Sequence, residues 1–298
     1  MKSIFLLLFM LFCKIVIAQQ NKNLIFENDS IAIYDTYLSL NSKENIAPII
    51  YKDGLIYASA NASGFYKVYF SDLKSNPQKI KIKGNRHVGL SAIYNNEAYI
   101  TKTVTNFKKG FLNVDGLAIF KGTIENLKVS KLKPLTICKE GSNYGHPSIT
   151  KNGNKMVIVT NEKGAFHLLE LVRDTNNEWQ RSEIIFITHP RFTIINPTYY
   201  DENTIYFSSN EYDGKIEKVE YSIENDKPVI NNVIYERGDY NIYKTVKIDG
   251  KWSLPRKVSV LNSEFDDLSV VFITEKTGYI NSFRYDDTDN IYYFELKQ

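Results

Sequence analysis

Residues 45–59 read NIAPIIYKDGLIYAS, which is the pattern of a short strand, a tight turn and a second strand. The unit returns at 144–153 as YGHPSITKNG, followed by MVIVT, and at 195–202 as INPTYYDE, followed by TIYFSS. Two weaker copies lack the proline and read LSAIYNN at 90–96 and DLSVVF at 267–272. This repetition predicts one supersecondary unit used several times along the chain.

The spacing of the copies indicates the architecture. The equivalent positions are Pro48, Ser91, Pro147, Pro197 and Leu268, which are separated by 43, 56, 50 and 71 residues. Blades of a β-propeller recur at about 40–50 residues, so the sequence predicts an all-β propeller of four-stranded blades. The long last interval leaves room for a further blade between Glu211 and Asp239, so five and six blades both stay open.

The rest of the chain supports a ring of strands. Its 21 Tyr and 17 Phe favour strands, and apolar residues almost nowhere recur with helical spacing. The segment from Leu24 to Tyr37 has no copy of the repeat. We expect it to supply the outer strand of the last blade and so to close the ring.

The first eighteen residues differ from the remainder. Lys2 precedes an apolar run from Ile4 to Cys13, and Val16-Ile17-Ala18 forms a cleavage site before Gln19. This pattern predicts a signal peptide over residues 1–18, followed by a single propeller domain over residues 19–298. The apolar run is about half the roughly 20 residues that span a bilayer, so we expect export and no membrane span after cleavage.

Composition and motifs exclude several functions. A formal charge of +3 with interspersed signs disfavours nucleic-acid binding. The four histidines have no metal-ligand spacing and no nucleotide fingerprint occurs, so we predict neither a metal nor a cofactor. The oxygen-rich run at 286–290 is an alternative Ca²⁺ loop, but it lacks the glycine and the distant glutamate of an EF-hand. Only Cys138 remains after cleavage, so no internal disulfide is expected.

A second repeat feature lies in the last third of the chain. The residues that carry it are Asp239, Ile242, Tyr243, Trp252, Pro255 and Asn262. Together with Pro197–Ser209, they resemble the TolB-type propeller repeat of bacterial envelope proteins, with a departure at Leu268, where that family has a proline nearby. The resemblance implies a binding or scaffolding propeller in the periplasm or at the outer membrane, with secretion into the medium as a further location.

Residues just before each innermost strand should cluster at one mouth of the central channel, where propeller ligands commonly bind. By the repeat alignment these candidates are Glu44, Asn45, Arg86, His87, Tyr144, His146, Arg191, Asn196, Glu264 and Asp267. Their mixture of acids, bases and aromatics suits a polar peptide or a glycan. The alternative interpretation is that they satisfy backbone groups of the inter-blade loops.

The sequence therefore favours a non-enzymatic propeller that binds an envelope protein or a glycan polymer, and it predicts no catalytic residue. A hypothesis of another class is a glycoside hydrolase that uses Glu44, Glu264 and Asp267 as acid and base or nucleophile. A surface lectin is a third hypothesis. Two carboxylates about 5–10 Å apart in a deep pocket would favour the hydrolase, whereas a plugged channel would favour the scaffold.

Overall fold

The computed structural model describes residues 23–38, 44–60, 63–84, 86–104, 107–108, 111–112, 116–211, 216–235, 238–285 and 288–297. The predicted signal peptide and residues 286–287 of the acidic run lie outside these ranges. Within them the chain is all-β apart from one turn of 3₁₀ helix at Ser259–Leu261. The strands form five antiparallel blades arranged as a propeller, which confirms the predicted fold class.

Numbered in chain order, the strands fall into blades as follows. The first blade contains β3 (Asn45–Tyr51), β4 (Gly54–Ala60), β5 (Tyr66–Ser71) and β6 (Gln78–Lys79), and the second β7 (Val88–Tyr94), β8 (Glu97–Val104), β11 (Gly116–Glu125) and β12 (Lys128–Pro134). The third contains β13 (Tyr144–Ile149), β14 (Lys155–Thr160), β15 (His167–Arg173) and β16 (Trp179–Ile187). The fourth contains β17 (Ile194–Asp201), β18 (Thr204–Ser209), β21 (Asn241–Ile248), β22 (Lys251–Trp252) and β23 (Arg256–Lys257).

The fifth blade joins the two ends of the described chain. Its strands are β24 (Asp267–Phe272), β25 (Thr277–Ser282), β26 (Asn290–Leu296), β2 (Ile31–Tyr34) and β1 (Leu24–Glu27). Strand β2 pairs with β26, and β1 follows it outward. The N-terminal segment therefore closes the ring, as the sequence predicts, and it contributes two strands to the blade.

Two hairpins lie outside the blades. The short one is β9 (Phe107–Lys108) with β10 (Phe111–Leu112), and the long one is β19 (Ile216–Glu224) with β20 (Lys227–Tyr235). The long hairpin occupies the interval in which a sixth blade was left open. It is an insertion between β18 and β21, which pair directly with each other, so the propeller has five blades.

Apolar residues pack in five clusters, one between each pair of neighbouring blades. In the described chain the cluster between blades two and three has eleven buried members, including Tyr99 and Trp179. The cluster between blades five and one has five, including Tyr57 and Ile291. Among the described residues, the cluster at the interface that closes the ring therefore has the fewest buried apolar members of the five.

Candidate functional site

The five innermost strands share one irregularity at the channel. Each has a β-bulge at the position that the repeat alignment made equivalent, and the bulges interrupt β3, β7, β13, β17 and β24. Ala47, His146 and Asn196 sit in these bulges with φ of 51°, 50° and 46°, and each precedes a proline. A bulge leaves one residue out of the ladder, and proline has no N–H to lose there. The recurring residues of the repeat therefore form a β-bulge in the innermost strand of each blade, and this bulge faces the channel.

The bulges form a narrow layer, here called the throat. The Asn196 amide donates to the carbonyl of Leu268 over 2.9 Å, and its oxygen lies 2.7 Å from Nδ1 of His146. Because that amide oxygen can only accept, Nδ1 of His146 carries the proton. Burial lowers the pKa of His146, so the imidazole is neutral and its Nε2 is an acceptor. These two candidate residues tie blades three, four and five together.

The throat is almost closed. Its cavity measures about 20 Å³, room for about one water molecule. Ser269 lines it and is 3% exposed, and its hydroxyl has no hydrogen-bond partner in the described part of the protein. The throat lies between the two ends of the channel, which are its two mouths. We call them the upper mouth, where the innermost strands begin, and the lower mouth, where they end.

The lower mouth opens into a cavity of about 710 Å³. Its walls mix aliphatic and aromatic side chains with polar and charged ones in similar measure, and every blade contributes to them. The principal apolar residues are Ile49, Ile50, Ile93, Ile149, Tyr199, Tyr200, Val271, Phe272 and Ile273. Lys151, Asp201 and Glu275 supply charge to the lining. This volume lies within the range of ligand pockets, and none of the sequence-predicted residues lines the cavity.

The upper mouth brings two of the candidates together around Tyr66. The Tyr66 hydroxyl donates to Oε2 of Glu44 over 3.0 Å, and its backbone N–H donates to Nδ1 of His87 over 3.4 Å. Burial, and then the bond to Glu44, raise the pKa of Tyr66 to about 12. Beside them, the carbonyl of Arg86 accepts from the Lys67 ammonium over 2.9 Å. These contacts link blades one and two.

Asp289 is an acid that the repeat alignment missed. It is 6% exposed, and Oδ1 accepts from the Asn281 amide over 3.1 Å. The pKa of Asp289 is raised to about 7, mainly by burial and to a smaller extent by the charges of Glu44 and Asp266, while the hydrogen bond from Asn281 opposes the shift. Its backbone carbonyl accepts from the N–H of Asn45, so it lies where blade five meets blade one. The sequence feature that could have identified Asp289 is its position in the acidic run at 286–290.

Asp267, one of the three carboxylates of the hydrolase hypothesis, is fully buried in an ion pair. Its Oδ1 lies 2.5 Å from Nη2 of Arg284, and its Oδ2 accepts from the N–H of Ser263 over 2.6 Å. Arg284 also donates to the carbonyl of Leu261 over 2.6 Å. Glu264 is exposed and lines a separate cavity that includes residues of β1 and β2. Asp267 and Glu264 therefore lie in different surroundings.

The remaining candidates also have structural contacts. The buried amide of Asn45 donates to Oδ1 of Asn290 over 3.2 Å. Tyr144 is 1% exposed and donates to Oε2 of Glu162 over 2.7 Å. Arg191 is exposed, and its backbone N–H donates to Nδ1 of His189 over 3.4 Å. A ligand-binding role for the ten predicted residues stays a prediction.

The described ranges contain neither a metal-binding cluster nor a membrane-spanning helix. No group of three or more His, Cys, Asp or Glu side chains among the described residues is arranged to hold a metal ion. Burial raises the pKa of the Cys138 thiol. None of the helical segments in the described ranges is long and apolar enough to cross a membrane.

Comparison with known proteins gives structural neighbours only. No family model and no curated protein matches the sequence. A thermostable family-43 glycoside hydrolase aligns with a TM-score of 0.48 and 12% identity over 86% of this chain and 89% of that one. A putative TolB from Agrobacterium tumefaciens aligns with a TM-score of 0.42 and 10% identity, over 82% of this chain and 70% of that one. A Mycobacterium tuberculosis puromycin-hydrolyzing peptidase aligns with a TM-score of 0.44 and 11% identity over 80% of this chain. The aligned part spans 35% of that protein. Likeness this distant assigns neither family nor activity.

Proposed function

We propose that this chain is an exported, non-enzymatic propeller of the bacterial envelope that binds an envelope protein or polymer at its lower mouth. The observation that carries the proposal is the cavity of about 710 Å³, to which all five blades contribute apolar residues. Ile50 and Ile273 on its wall are 42% and 47% exposed, so binding a partner would remove apolar surface from water.

The chemistry of the two mouths supports binding over hydrolysis. Hydrolysis of a glycoside needs two carboxylates that face one substrate. Of the three predicted for that role, Asp267 is paired with Arg284, Glu44 accepts from Tyr66, and Glu264 lines a different cavity.

The test is a pull-down from envelope extracts with residues 19–298 as bait, run beside a glycan array. The matched variants are Ile50→Lys with Ile273→Lys at the lower mouth, and Glu44→Gln with His87→Gln at the upper mouth. We expect one stoichiometric partner that the lower-mouth variant loses and the upper-mouth variant retains. Loss in the upper-mouth variant alone, or binding to neither proteins nor glycans, would contradict the proposal.

One observation favours the hydrolase as a second candidate. A carboxyl group with a pKa of about 7 is suited to general acid catalysis, and Asp289 has it beside the charge of Glu44. Asp289→Asn and Glu44→Gln should each abolish glycoside hydrolysis if this candidate is right. Absence of turnover in the unaltered chain across a panel of aryl glycosides would remove it.

A further inference from the structure

The long hairpin β19–β20 has one apolar and one polar face. The cross-strand pairs Val219/Val233, Tyr221/Ile230 and Ile223/Pro228 follow one another on one face, here called the apolar face. The pairs between them, Glu220/Asn232, Ser222/Val229 and Glu224/Lys227, lie on the other. Asn232 donates to Glu220, and Ser222 donates to Glu224, which marks that face as polar. Such alternation is typical of a sheet with one face packed against another layer.

The apolar face has no such layer within the described chain. Tyr221, Ile223 and Ile230 are 63%, 70% and 65% exposed, and Val219 is 39% exposed. None of these residues belongs to the five inter-blade clusters. The two strands pair with each other and with no blade. A lone two-stranded hairpin is marginally stable in water, so the apolar face is expected to be covered.

We propose that a second copy of this chain covers it, with two hairpins packed face to face in a two-fold dimer. The six side chains of the apolar face carry no charge and one hydrogen-bonding group, the Tyr221 hydroxyl, so packing against an identical face leaves only that hydroxyl to find a partner. The Tyr221/Ile230 pair lies at its centre, which places the largest side chains of both copies at the middle of the interface.

The available area agrees with a reversible dimer. At these exposures the apolar face offers on the order of 500 Å² per copy, or about 1,000 Å² in total, near the lower limit of specific interfaces. A lipid surface fits the hairpin less well, because Glu224 and Asp226 stand at its tip beside Lys227, whereas membrane-binding elements present basic residues.

The experiment is sedimentation velocity of residues 19–298 from low to high micromolar concentration. The test variant is Tyr221→Ser with Ile230→Ser, and the matched control on the polar face is Ser222→Thr with Asn232→Ser. We expect dimerisation of the unaltered chain and of the control, and at least about a tenfold weaker association of the test variant. Thermal unfolding of the blades should be the same in all three, because the hairpin lies outside them.

Two results would overturn the proposal. The first is a monomer at every concentration, and the second is equal association of the test variant and the unaltered chain. Co-sedimentation of a monomeric unaltered chain with phosphatidylcholine vesicles, lost in the test variant, would also overturn it and assign the face to lipid. Binding to the lower mouth is independent of these results.

Discussion

The two mouths of the channel differ in what their side chains do. At the upper mouth, polar side chains contact groups of neighbouring blades: His87 accepts from the backbone N–H of Tyr66, and Asn45 donates to Asn290. At the lower mouth, apolar residues from all five blades surround a cavity and two isoleucines remain exposed. A polar cluster at a propeller mouth can therefore hold the ring together, while the less conspicuous apolar mouth offers the room for a ligand.

The largest loss of stability is expected at the buried ion pair of the upper mouth. Arg284→Ala leaves the carboxylate of Asp267 buried without its partner, so the free energy of unfolding should fall by about 3–5 kcal/mol. Urea unfolding measures the change. Glu264→Gln is the control and should alter stability by no more than about 0.5 kcal/mol. A stable Arg284→Ala protein that lost only ligand binding would instead assign this pair to a binding site.

The second largest effect is expected at Asp289. Its folded pKa of about 7 lies above the ordinary 3.8, so the folded state holds a proton that the unfolded state releases between those values. Stability should therefore fall as pH rises from about 4 to about 7 and then level off. Asp289→Asn keeps an acceptor for Asn281 and removes this loss. At pH 8 the free energy of unfolding of the variant should be about 4 kcal/mol higher than that of the unaltered protein, and at pH 4 the two should differ little.

Thermal unfolding of the unaltered protein and of Asp289→Asn at pH 4, 6 and 8 checks this expectation. Glu44→Gln is the companion variant, since the Glu44 charge contributes to the raised pKa of Asp289. It should flatten the pH dependence only in part, because burial is the larger cause. A gain in stability that was equal at all three pH values would contradict the account.

The lower mouth should respond in binding and not in stability. Ile50→Lys with Ile273→Lys alters two exposed side chains, so unfolding should change by about 0.5 kcal/mol or less for each. Affinity for the partner captured in the pull-down should fall at least about tenfold, because the charges must be desolvated against apolar surface. Titration calorimetry measures the affinity. Unchanged affinity would show that the partner does not bind at the lower mouth.

The smallest effect is expected at Tyr66. Tyr66→Phe removes the hydroxyl that donates to Glu44 and leaves the ring beside His87, where the ring centroids are 5.6 Å apart. Stability should fall by about 0.5–1 kcal/mol, measured from the urea midpoint, and partner affinity should not change. A large loss of affinity would show that the upper mouth contacts the ligand.

The sequence predicted the fold well, because a bulge that recurs in every blade leaves a recurring signature. Pro48, Pro147 and Pro197 lie in bulges of equivalent strands, as the alignment of repeats requires. The number of blades could not be predicted from the sequence, because β19 and β20 have the same strand pattern as the strands of a blade. Whether two strands join a sheet depends on pairing far along the chain, which local pattern does not reveal.

The candidate site was less accessible to sequence reasoning. In sequence, polar residues that bind a ligand cannot be distinguished from polar residues that form hydrogen bonds to a neighbouring blade. The sequence around Asp267 also did not indicate that Arg284 pairs with it. The lower cavity was missed because Ile49, Ile93 and Ile149 match the core pattern of any strand. Their exposure to a shared space arises only when five blades close around an axis.

The most direct test of the lower mouth is photo-crosslinking in envelope extracts. A photoreactive phenylalanine analogue replaces Ile273 at the lower mouth in one chain and His87 at the upper mouth in another. The account predicts a crosslinked adduct of one defined mass from position 273 and none from position 87. An adduct from position 87, with none from position 273, would contradict it and direct attention to Glu44 and Asp289.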